Sequence, residues 1–249
     1  MIQPRPKTRI VVISLRGASA RRRAFAAAAQ EATLPWSFLD ASEQLHPDLR
    51  YDEDEAVVAK GRPLTKGEIG CYSSHFEAWK QLLADDHDQY VVLEDDVIAD
   101  WDYLAALAAM DHEAAGHDYI RLYYKRPVPT RILERDFGAR ARWLTELTGY
   151  CFGTQGYLIT RRGARLFAER FRQMRRPIDD EMDRSWIHGI PNLAVFPFPI
   201  VERAQESAIG LSRFEAHAVP PRLKFRRALQ RQRERLAFHL LGRVRAKAR

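Results

Sequence analysis

The chain has 249 residues, of which 46% are hydrophobic, and this is enough apolar material to bury one large core. Its apolar runs are far shorter than the roughly 18 residues that suggest a membrane span, and the start, M-I-Q-P-R-P-K, has no apolar signal-peptide core. The two cysteines, Cys71 and Cys151, lie in unrelated segments and give no disulfide framework. We therefore expect a cytoplasmic protein.

The positive charge is concentrated at the C-terminus. Residues 222–249 contain eleven Lys or Arg residues and a single acidic residue, Glu234, for a net charge of +10. The whole chain carries +7, so residues 1–221 carry −3. We therefore divide the chain into a globular domain, residues 1–221, and a basic tail, residues 222–249.

The N-terminal segment has the pattern of half a nucleotide-binding βαβ unit. The apolar run Ile10–Leu15 predicts a first strand, and Ser19 is suited to cap the alanine-rich helix that follows. No glycine-rich phosphate loop is present, so the interpretation depends on the pattern alone. Arg21 can meet a phosphate or simply be solvated. A second strand is predicted at 36–39, with Asp40 at its end.

Residues 43–63 contain acids and prolines with little periodicity, and we interpret them as a surface connection. Thr65 and Glu68 then have the spacing of a capping box. The apolar residues that follow recur every three or four positions, which predicts an amphipathic helix: Ile69, Tyr72, Phe76, Trp79 and Leu83. Cys71 and His75 are four residues apart on this helix. A thiolate dyad is conceivable, but a packed thiol is favoured because free cysteines are usually buried.

Three carboxylates follow the next predicted strand. The wholly apolar run 90–93 is typical of a strand buried in a mostly parallel sheet, and Glu94, Asp95 and Asp96 come directly after it. In open α/β sheets ligands bind outside the carboxyl ends of the strands. Hard carboxylate oxygens suit Mg²⁺ or Mn²⁺, with substrate phosphates as the remaining ligands. The alternative is that these acids cap the next helix.

The middle of the chain alternates between periodic and irregular segments. Residues 101–110 predict a helix and 118–124 a strand. The charged segment 126–146 is either a loop that closes over a substrate or a plain surface loop. Glycines at 149–156 precede a strand that ends at Thr160, and 162–174 predict a helix.

A second acidic pair, Asp179 and Asp180, follows Pro177. It either starts a helix that includes Met182 and Trp186, with Asp179 as its cap, or contributes a catalytic carboxylate. Residues 194–198 predict the closing strand.

Several of these motifs together resemble glycosyltransferase family 25 of bacterial lipopolysaccharide and lipooligosaccharide biosynthesis, which also includes collagen galactosyltransferases. The matching segments are L-T-K-G-E-I-G-C-Y-S-S-H at 64–75, V-V-L-E-D-D-V at 91–97, Y-I-R-L at 119–122, G-T-Q-G-Y-L-I-T-R-R-G-A at 153–164 and P-I-D-D at 177–180. The resemblance leaves out only the last thirty or so residues.

This resemblance implies a GT-A-like α/β domain, with a mixed, mostly parallel sheet flanked by helices, that needs Mn²⁺ or Mg²⁺. It implies inverting transfer of a hexose to a sugar hydroxyl of a lipid-linked lipopolysaccharide core, with galactose from UDP-galactose as the favoured donor. The implied donor-binding residues are Leu15, Arg16, Arg21, Asp40, Glu94, Asp95, Gln205 and Ser207. The implied metal-binding residues are Asp96, Glu94 and a late histidine, for which His217 and His188 are the candidates.

This chain departs from the family's pattern at one position, and the resemblance leaves one choice between two carboxylates. The family usually has Asn where this chain has Ser14. An inverting transferase needs one carboxylate to deprotonate the acceptor while a metal stabilises the departing diphosphate, so two acidic sites are expected. We favour Asp180 over Asp179 for the first role.

The basic tail predicts a mildly amphipathic helix over 223–244, of the type that lies on anionic lipid. This would hold the enzyme at the inner face of a bacterial inner membrane, where a lipid-linked acceptor is found, and removing the tail should leave turnover of a soluble acceptor intact. Nucleic-acid binding through phosphates is the less favoured alternative, and a solvated tail is a third. The alternative functions are accordingly a nucleic-acid-binding protein and a metal-dependent phosphoryl-transfer enzyme.

Overall fold

The computed structural model describes residues 5–203 and 217–247. One large sheet has eight strands: Thr8–Ser14 (β1), Trp36–Asp40 (β2), Gln89–Glu94 (β4), Tyr119–Arg121 (β6), Thr130–Arg135 (β7), Trp143–Leu147 (β8), Gly156–Thr160 (β9) and Leu193–Phe196 (β11). Two small ribbons pair Arg50–Tyr51 (β3) with Gln173–Met174 (β10), and Val97–Ala99 (β5) with Ile200–Glu202 (β12).

The large sheet is mixed, as predicted, and most of its strands point the same way. Its strand order is β2-β1-β4-β9-β6-β11-β8-β7. β1 is parallel to both β2 and β4, whereas β9 runs antiparallel between β4 and β6, and β11 is parallel to β6. The strands β2, β1, β4, β6 and β11 therefore point the same way. Their carboxyl ends lie along one edge of the sheet, where ligands bind in folds of this kind.

Helices cover both faces of the sheet. Their bounds are Ser19–Ala28 (α1), Glu53–Lys60 (α2), Lys66–Ala84 (α3), Trp101–Ala108 (α4), Arg161–Arg170 (α5), Ile178–Asp183 (α6), Ser185–His188 (α7) and Pro221–Lys247 (α8). Alternate residues of β1 enter opposite cores: Val11 and Ile13 pack in the core that α3 and α5 line, and Ile10 and Val12 in the core that α1 and α4 line. Burial on both faces explains why β1 is a continuous apolar run.

The start of α3 has the predicted capping box. The hydroxyl of Thr65 accepts the Glu68 N–H at 3.2 Å, and the Glu68 carboxylate accepts the Thr65 N–H at 2.9 Å. The same carboxylate binds Arg62 through two hydrogen bonds. Gly70 lets this helix approach the chain closely, since a Cβ there would lie 2.4 Å from the carbonyl oxygen of Ser42.

Two segments that the sequence suggested were irregular are structured. Residues 43–63 contain β3 and α2, and the second half of α2 is buried at residues 56–59. Residues 126–146 contain β7 and all but the last residue of β8, and these strands form an antiparallel hairpin at the edge of the sheet. Both interpretations, a surface connection and an irregular loop, were wrong. α2 is too short for helical periodicity to show, and β7 is exposed along almost its whole length.

Several predicted caps were also wrong. Ser19 is the first residue of α1, and the preceding Ala18 makes no side-chain cap. The acids at 94–96 do not cap a helix, because β5 follows them and Asp100 caps α4 through the Tyr103 N–H at 3.0 Å. Asp179 lies inside the first turn of α6, whose N-cap is Pro177. The predicted helix in this region is two short helices, α6 and α7.

The predicted tail helix forms, and it packs against the domain. Leu223 is buried with Val57 and Val58 of α2. Farther along, the rings of Phe238 and Trp186 meet edge to face with centroids 4.9 Å apart. Among the described residues, no helix has the length and apolar composition that crossing a membrane requires. The division of the chain at residue 221 remains a prediction.

Candidate functional site

Three strand ends bring polar side chains to one edge of the sheet. Ser14 pairs with Asp40 across β1 and β2, and Ile13 pairs with Glu94 across β1 and β4. Asp95 and Asp96 follow in the turn that leads to β5. The sheet thus brings four of the predicted site residues to one edge: Asp40, Glu94, Asp95 and Asp96.

Two arginines hold Asp40 at the end of β2. Arg22 donates to one carboxylate oxygen at 2.5 Å, and Arg16 donates to the other at 2.7 and 3.0 Å. Hydrogen bonds from Arg22 and Arg16 lower the pKa of Asp40. Asp40 and Arg16 remain largely exposed, while Leu15 is half-buried. Asp40, Arg16 and Arg22 therefore form a solvent-exposed, charged surface with the hydrogen-bonding groups that the polar edge of a nucleoside would require.

Asp95 connects this surface to the acidic turn. Its carboxylate accepts a hydrogen bond from the Ser14 hydroxyl at 2.5 Å and lies 3.5 Å from the Arg21 guanidinium. Ser14 also accepts a hydrogen bond from Arg22 Nε at 3.1 Å. Arg21 is thus engaged with a buried carboxylate, and the interpretation of a merely solvated arginine was wrong. Serine fills the position where the family usually has asparagine and makes a contact of its own.

Asp96 has the least satisfied carboxylate in the turn. Its Oδ1 is buried and has no hydrogen-bond partner among the described residues. Burial raises the pKa of Asp96 to about 7, and the charges of Glu94, Glu202 and Asp95 act in the same direction. Like charges brought this close need a neutralising cation or a proton. The donor set consists of carboxylate oxygens and therefore fits Mg²⁺ or Mn²⁺.

Glu94 is held by neighbours on two other elements. The Thr154 hydroxyl donates to its Oε1, and His75 Nε2 lies 3.8 Å from the same oxygen. Burial alone would raise the pKa of Glu94, but the contacts with His75 and Thr154 outweigh burial and lower it. Glu94 is accordingly an ionised group with a fixed orientation.

Cys71, His75 and Glu94 form a second group that could hold a metal. Their ligand atoms all lie within 4.8 Å of one another. Burial raises the pKa of the Cys71 thiol well above its ordinary value, and the charge of Glu94 adds to this effect. The thiolate dyad is therefore disfavoured, and the favoured interpretation of a packed thiol agrees with this environment. A sulfur ligand would also suit a softer metal than Mg²⁺ or Mn²⁺.

Glu202 is a member of the acidic group that sequence reasoning missed. The pairing of β12 with β5 sets Glu202 opposite Val97, next to Asp96 in the chain. Its carboxylate accepts hydrogen bonds from Lys125 at 3.0 Å and Gln155 at 3.5 Å. No motif surrounds Glu202 in the sequence, and only knowledge of this strand pairing could have identified it.

Asp179 and Asp180, the second acidic pair, lie in different environments. Asp180 is 4% exposed, and Lys60 donates to its carboxylate at 2.6 Å. Burial raises the pKa of Asp180 to about 6, although Lys60 opposes the shift. Asp179 is half-buried and accepts the N–H of Gly153 at 3.1 Å and that of Asp180 at 3.0 Å. The two side chains therefore have different partners.

A buried ion pair holds the loop between the two acidic sites. Arg121, at the end of β6, donates to Asp183 at 2.7 Å, and both side chains are almost fully buried. Asp183 also accepts the backbone N–H groups of Cys151 and Phe152, at 3.0 and 2.8 Å. Just beyond this anchor, Gly153 contacts Asp179 and Thr154 contacts Glu94. The ion pair therefore anchors the loop that contacts both acidic sites, and the sequence analysis did not predict this pair.

Four further predicted residues remain, and the structure describes the positions of only the two histidines among them. Gln205 and Ser207 lie outside the described residues. His217 is exposed, and its role as a metal ligand stays a prediction. His188 is buried, with its Nε2 3.1 Å from the Met182 carbonyl oxygen and its Nδ1 accepting the Ile190 N–H. Since both ring nitrogens are engaged, His188 is not a metal ligand in this arrangement.

Comparison with known proteins gives a consistent set of relatives. Residues 7–182 match the family model described as glycosyltransferase family 25 (LPS biosynthesis protein). The lacto-N-neotetraose biosynthesis glycosyltransferase LgtB of Neisseria gonorrhoeae is 31% identical over 171 residues, which are 64% of this chain and 60% of that protein.

Two animal relatives match shorter segments. A glycosyltransferase 25 family member of Aedes aegypti is 30% identical over 148 residues, 53% of this chain and 23% of that protein. Procollagen galactosyltransferase 1-B of Xenopus laevis is 34% identical over 117 residues, 42% of this chain and 17% of that protein. The chain thus spans less than two thirds of the length of each of these three relatives.

Proposed function

The chain belongs to glycosyltransferase family 25, and on that premise we propose that it transfers a hexose from a UDP-sugar to a sugar hydroxyl of a lipid-linked lipopolysaccharide or lipooligosaccharide core, with inversion at the anomeric carbon. Galactose from UDP-galactose is the favoured donor. The name of one relative, procollagen galactosyltransferase, supports this donor, and the description of the matched family as an LPS biosynthesis protein supports the acceptor.

The observation that carries the proposal is the buried Oδ1 of Asp96, which lies near Glu94, Asp95 and Glu202 and has no hydrogen-bond partner among the described residues. A divalent cation at this position would be held by Asp96, with Glu94 or Glu202 completing the acidic set. The cation would stabilise the negative charge that develops on the departing diphosphate. The arginines beside Asp40 and Asp95 would then bind the rest of the UDP group.

The contacts support Asp179 as the general base, although the sequence alone favoured Asp180. Asp180 is closed in by Lys60, whereas Asp179 is half-buried and lies against the loop that also contacts Glu94. A carboxylate in that position can accept a proton from an acceptor hydroxyl across the cleft from the metal. In this proposal Asp180 positions Asp179 by donating its backbone N–H to it.

A donor screen tests the proposal. UDP-galactose, UDP-glucose and UDP-N-acetylglucosamine are each incubated with the full chain and Mn²⁺, and hydrolysis or transfer to a core oligosaccharide is measured. We expect turnover of one UDP-hexose that chelation abolishes. Absence of turnover and of UDP-sugar binding, with metal present, would contradict the proposal.

Asp96→Asn provides the matching variant. The change keeps the shape of the side chain and removes its charge, so we expect metal-dependent turnover to fall by at least about 100-fold. The melting temperature of the metal-free protein should stay the same or rise, because the change relieves repulsion among the carboxylates. Asp102→Asn, an exposed position on α4, is the control. Unchanged turnover and metal requirement in Asp96→Asn would exclude Asp96 as a ligand.

A further inference from the structure

The helix α8 has two different sides. Its inner side packs on the domain through Leu223 and Phe238, and Glu234 on the same side binds Arg176 at 2.6 Å and Arg184 at 2.8 Å. Its outer side carries four exposed apolar residues: Phe225, Leu229, Leu236 and Leu240, which are 78%, 38%, 60% and 64% exposed.

These four residues form one stripe. At 3.6 residues per turn, positions 225, 229, 236 and 240 fall within an arc of about 60° around the helix axis. Leu223, Glu234 and Phe238 lie roughly opposite this arc, which agrees with their contacts to the domain. The apolar stripe therefore points away from the body of the protein along at least four turns of helix.

Cations border the apolar stripe on both sides. Arg233 lies beside one edge of the stripe, and Arg235 and Lys224 lie toward its other edge. All three are exposed and have no carboxylate within ion-pair distance among the described residues. Arg222 and Arg226 differ, because Asp54 and Glu55 of α2 neutralise them. The single acid of the helix, Glu234, faces inward. The outer side thus combines an apolar stripe with uncompensated positive charge.

We propose that the outer side of α8 binds the surface of an anionic lipid bilayer, with the helix lying in the plane of the headgroups. Burial of Phe225 and the three leucines at the acyl boundary removes apolar surface from water, and the flanking arginines attract anionic headgroups. The inner contacts hold the domain on the solvent side of the helix. The described part of the helix is not apolar enough to span the bilayer.

The apolar stripe decides between a bilayer and the other polyanion considered, a nucleic acid. Arginines can bind phosphates in either partner, but four exposed apolar side chains in one row have no partner on a nucleic-acid backbone. The helix also lies outside residues 7–182, which match the family model. The inference therefore stands independently of the sugar-transfer proposal.

Co-sedimentation with vesicles tests this inference on the full chain. Vesicles of phosphatidylcholine alone are compared with vesicles that also contain phosphatidylglycerol, at low and high salt. We expect binding to the anionic vesicles that weakens with salt. Phe225→Ser/Leu236→Ser should lower this binding about tenfold or more without changing the charge. Arg233→Gln/Arg235→Gln should lower it by about fivefold for each charge removed.

The control is Ile132→Ser/Leu133→Ser, which makes the same kind of change at two exposed apolar positions of β7. It should bind vesicles as the unmodified chain does. Hydrolysis of the UDP-sugar in solution should be equal in all of these variants, so a failure of the sugar-transfer proposal and a failure of this one are distinguishable.

Three outcomes would overturn the inference. The first is equal vesicle binding by the stripe variant and the unmodified chain. The second is salt-sensitive binding to a duplex DNA fragment, undiminished by the serine substitutions, with no vesicle binding. The third is a dimer that the serine substitutions convert to a monomer, again with no vesicle binding, which would make the stripe a contact between two copies of the chain.

Discussion

Asp179 and Asp180 are adjacent in the chain, but their surroundings predict opposite effects of mutation. Asp179→Asn removes a half-buried carboxylate that has no ion pair with any described residue, so we expect turnover to fall by roughly 10² to 10⁴ with little change in melting temperature. Asp180→Asn leaves Lys60 without its partner, so we expect a loss of about 1–3 kcal/mol of stability and a smaller effect on turnover.

Turnover and thermal melting of the two variants, measured together with UDP-sugar affinity, check this prediction. Both variants should keep their donor affinity, because the donor-side arginines lie at the other acidic site. The opposite result, lost turnover and an unchanged melting temperature in Asp180→Asn, would return the base to the residue that the sequence favoured.

Individual residues could be predicted from sequence where a motif surrounds them. Glu94, Asp95 and Asp96 follow a buried strand, and the sheet edge was therefore predictable from the apolar run alone. Glu202 lies in no motif, and the role of Arg121 could not be found although this residue lies in Y-I-R-L. Each reaches the site through a strand pairing or a buried contact between residues far apart in the chain. Local patterns do not encode such long-range pairing.

A buried histidine that follows α4, His112, should make the free energy of unfolding depend on pH. His112 is fully buried, and its Nε2 lies 2.8 Å from the carbonyl oxygen of Leu107 in the last turn of the helix. Because a carbonyl oxygen only accepts, Nε2 carries the proton in the neutral ring. Burial lowers the pKa of His112 to about 4.

His112 should therefore destabilise the fold in mild acid. Below an unfolded-state pKa of about 6.5, the unfolded chain takes up a proton that the folded chain does not bind until about pH 4. The free energy of unfolding should then fall by about 3 kcal/mol from this residue as the pH drops across that window. Above about pH 6.5 the effect is absent.

His112→Gln keeps an N–H donor for Leu107 and removes the titration. Urea unfolding at pH 7 and at pH 4.5 should show a smaller loss of stability in this variant than in the unmodified chain. His239→Gln, an exposed position on α8, is the control and should behave as the unmodified chain does. An identical pH dependence in all three proteins would show that His112 does not titrate in this window.

At the level of elements, periodic and apolar segments were predicted well, and short or exposed ones were not. β1, β4 and α3 were predicted because each buries enough apolar residues to leave a repeating pattern. α2 has eight residues, and β7 lies at the sheet edge with its side chains in solvent. Neither has the contrast between a buried and an exposed face on which such predictions depend.

At the scale of the whole molecule, the described part of the basic tail, helix α8, packs against the domain. The sequence alone suggested that truncation after Pro221 would leave turnover intact. Truncation would expose Val57, Val58 and Trp186 to water and leave Arg176 and Arg184 without Glu234. We now expect it to lower the stability of the domain by several kcal/mol, with turnover lost at temperatures where the full chain is active.

Thermal melting of the truncated chain beside Phe225→Ser/Leu236→Ser checks this expectation. The double variant changes only the outer side of α8 and should melt with the unmodified chain. Equal melting of the truncated and full chains would show that the inner contacts of α8 contribute nothing measurable to stability.

Glu234 has a consequence for protein engineering. A helix with a plain apolar inner side could be grafted onto any protein that offers a hydrophobic groove. The inner side of α8 instead carries the Glu234 carboxylate, which forms ion pairs with Arg176 and Arg184 of the domain. If α8 were fused to another protein, docking of its inner side would bury the Glu234 carboxylate without a cationic partner, which is unfavourable. A transferable anchor would need either Glu234→Leu or the two arginines transplanted with it.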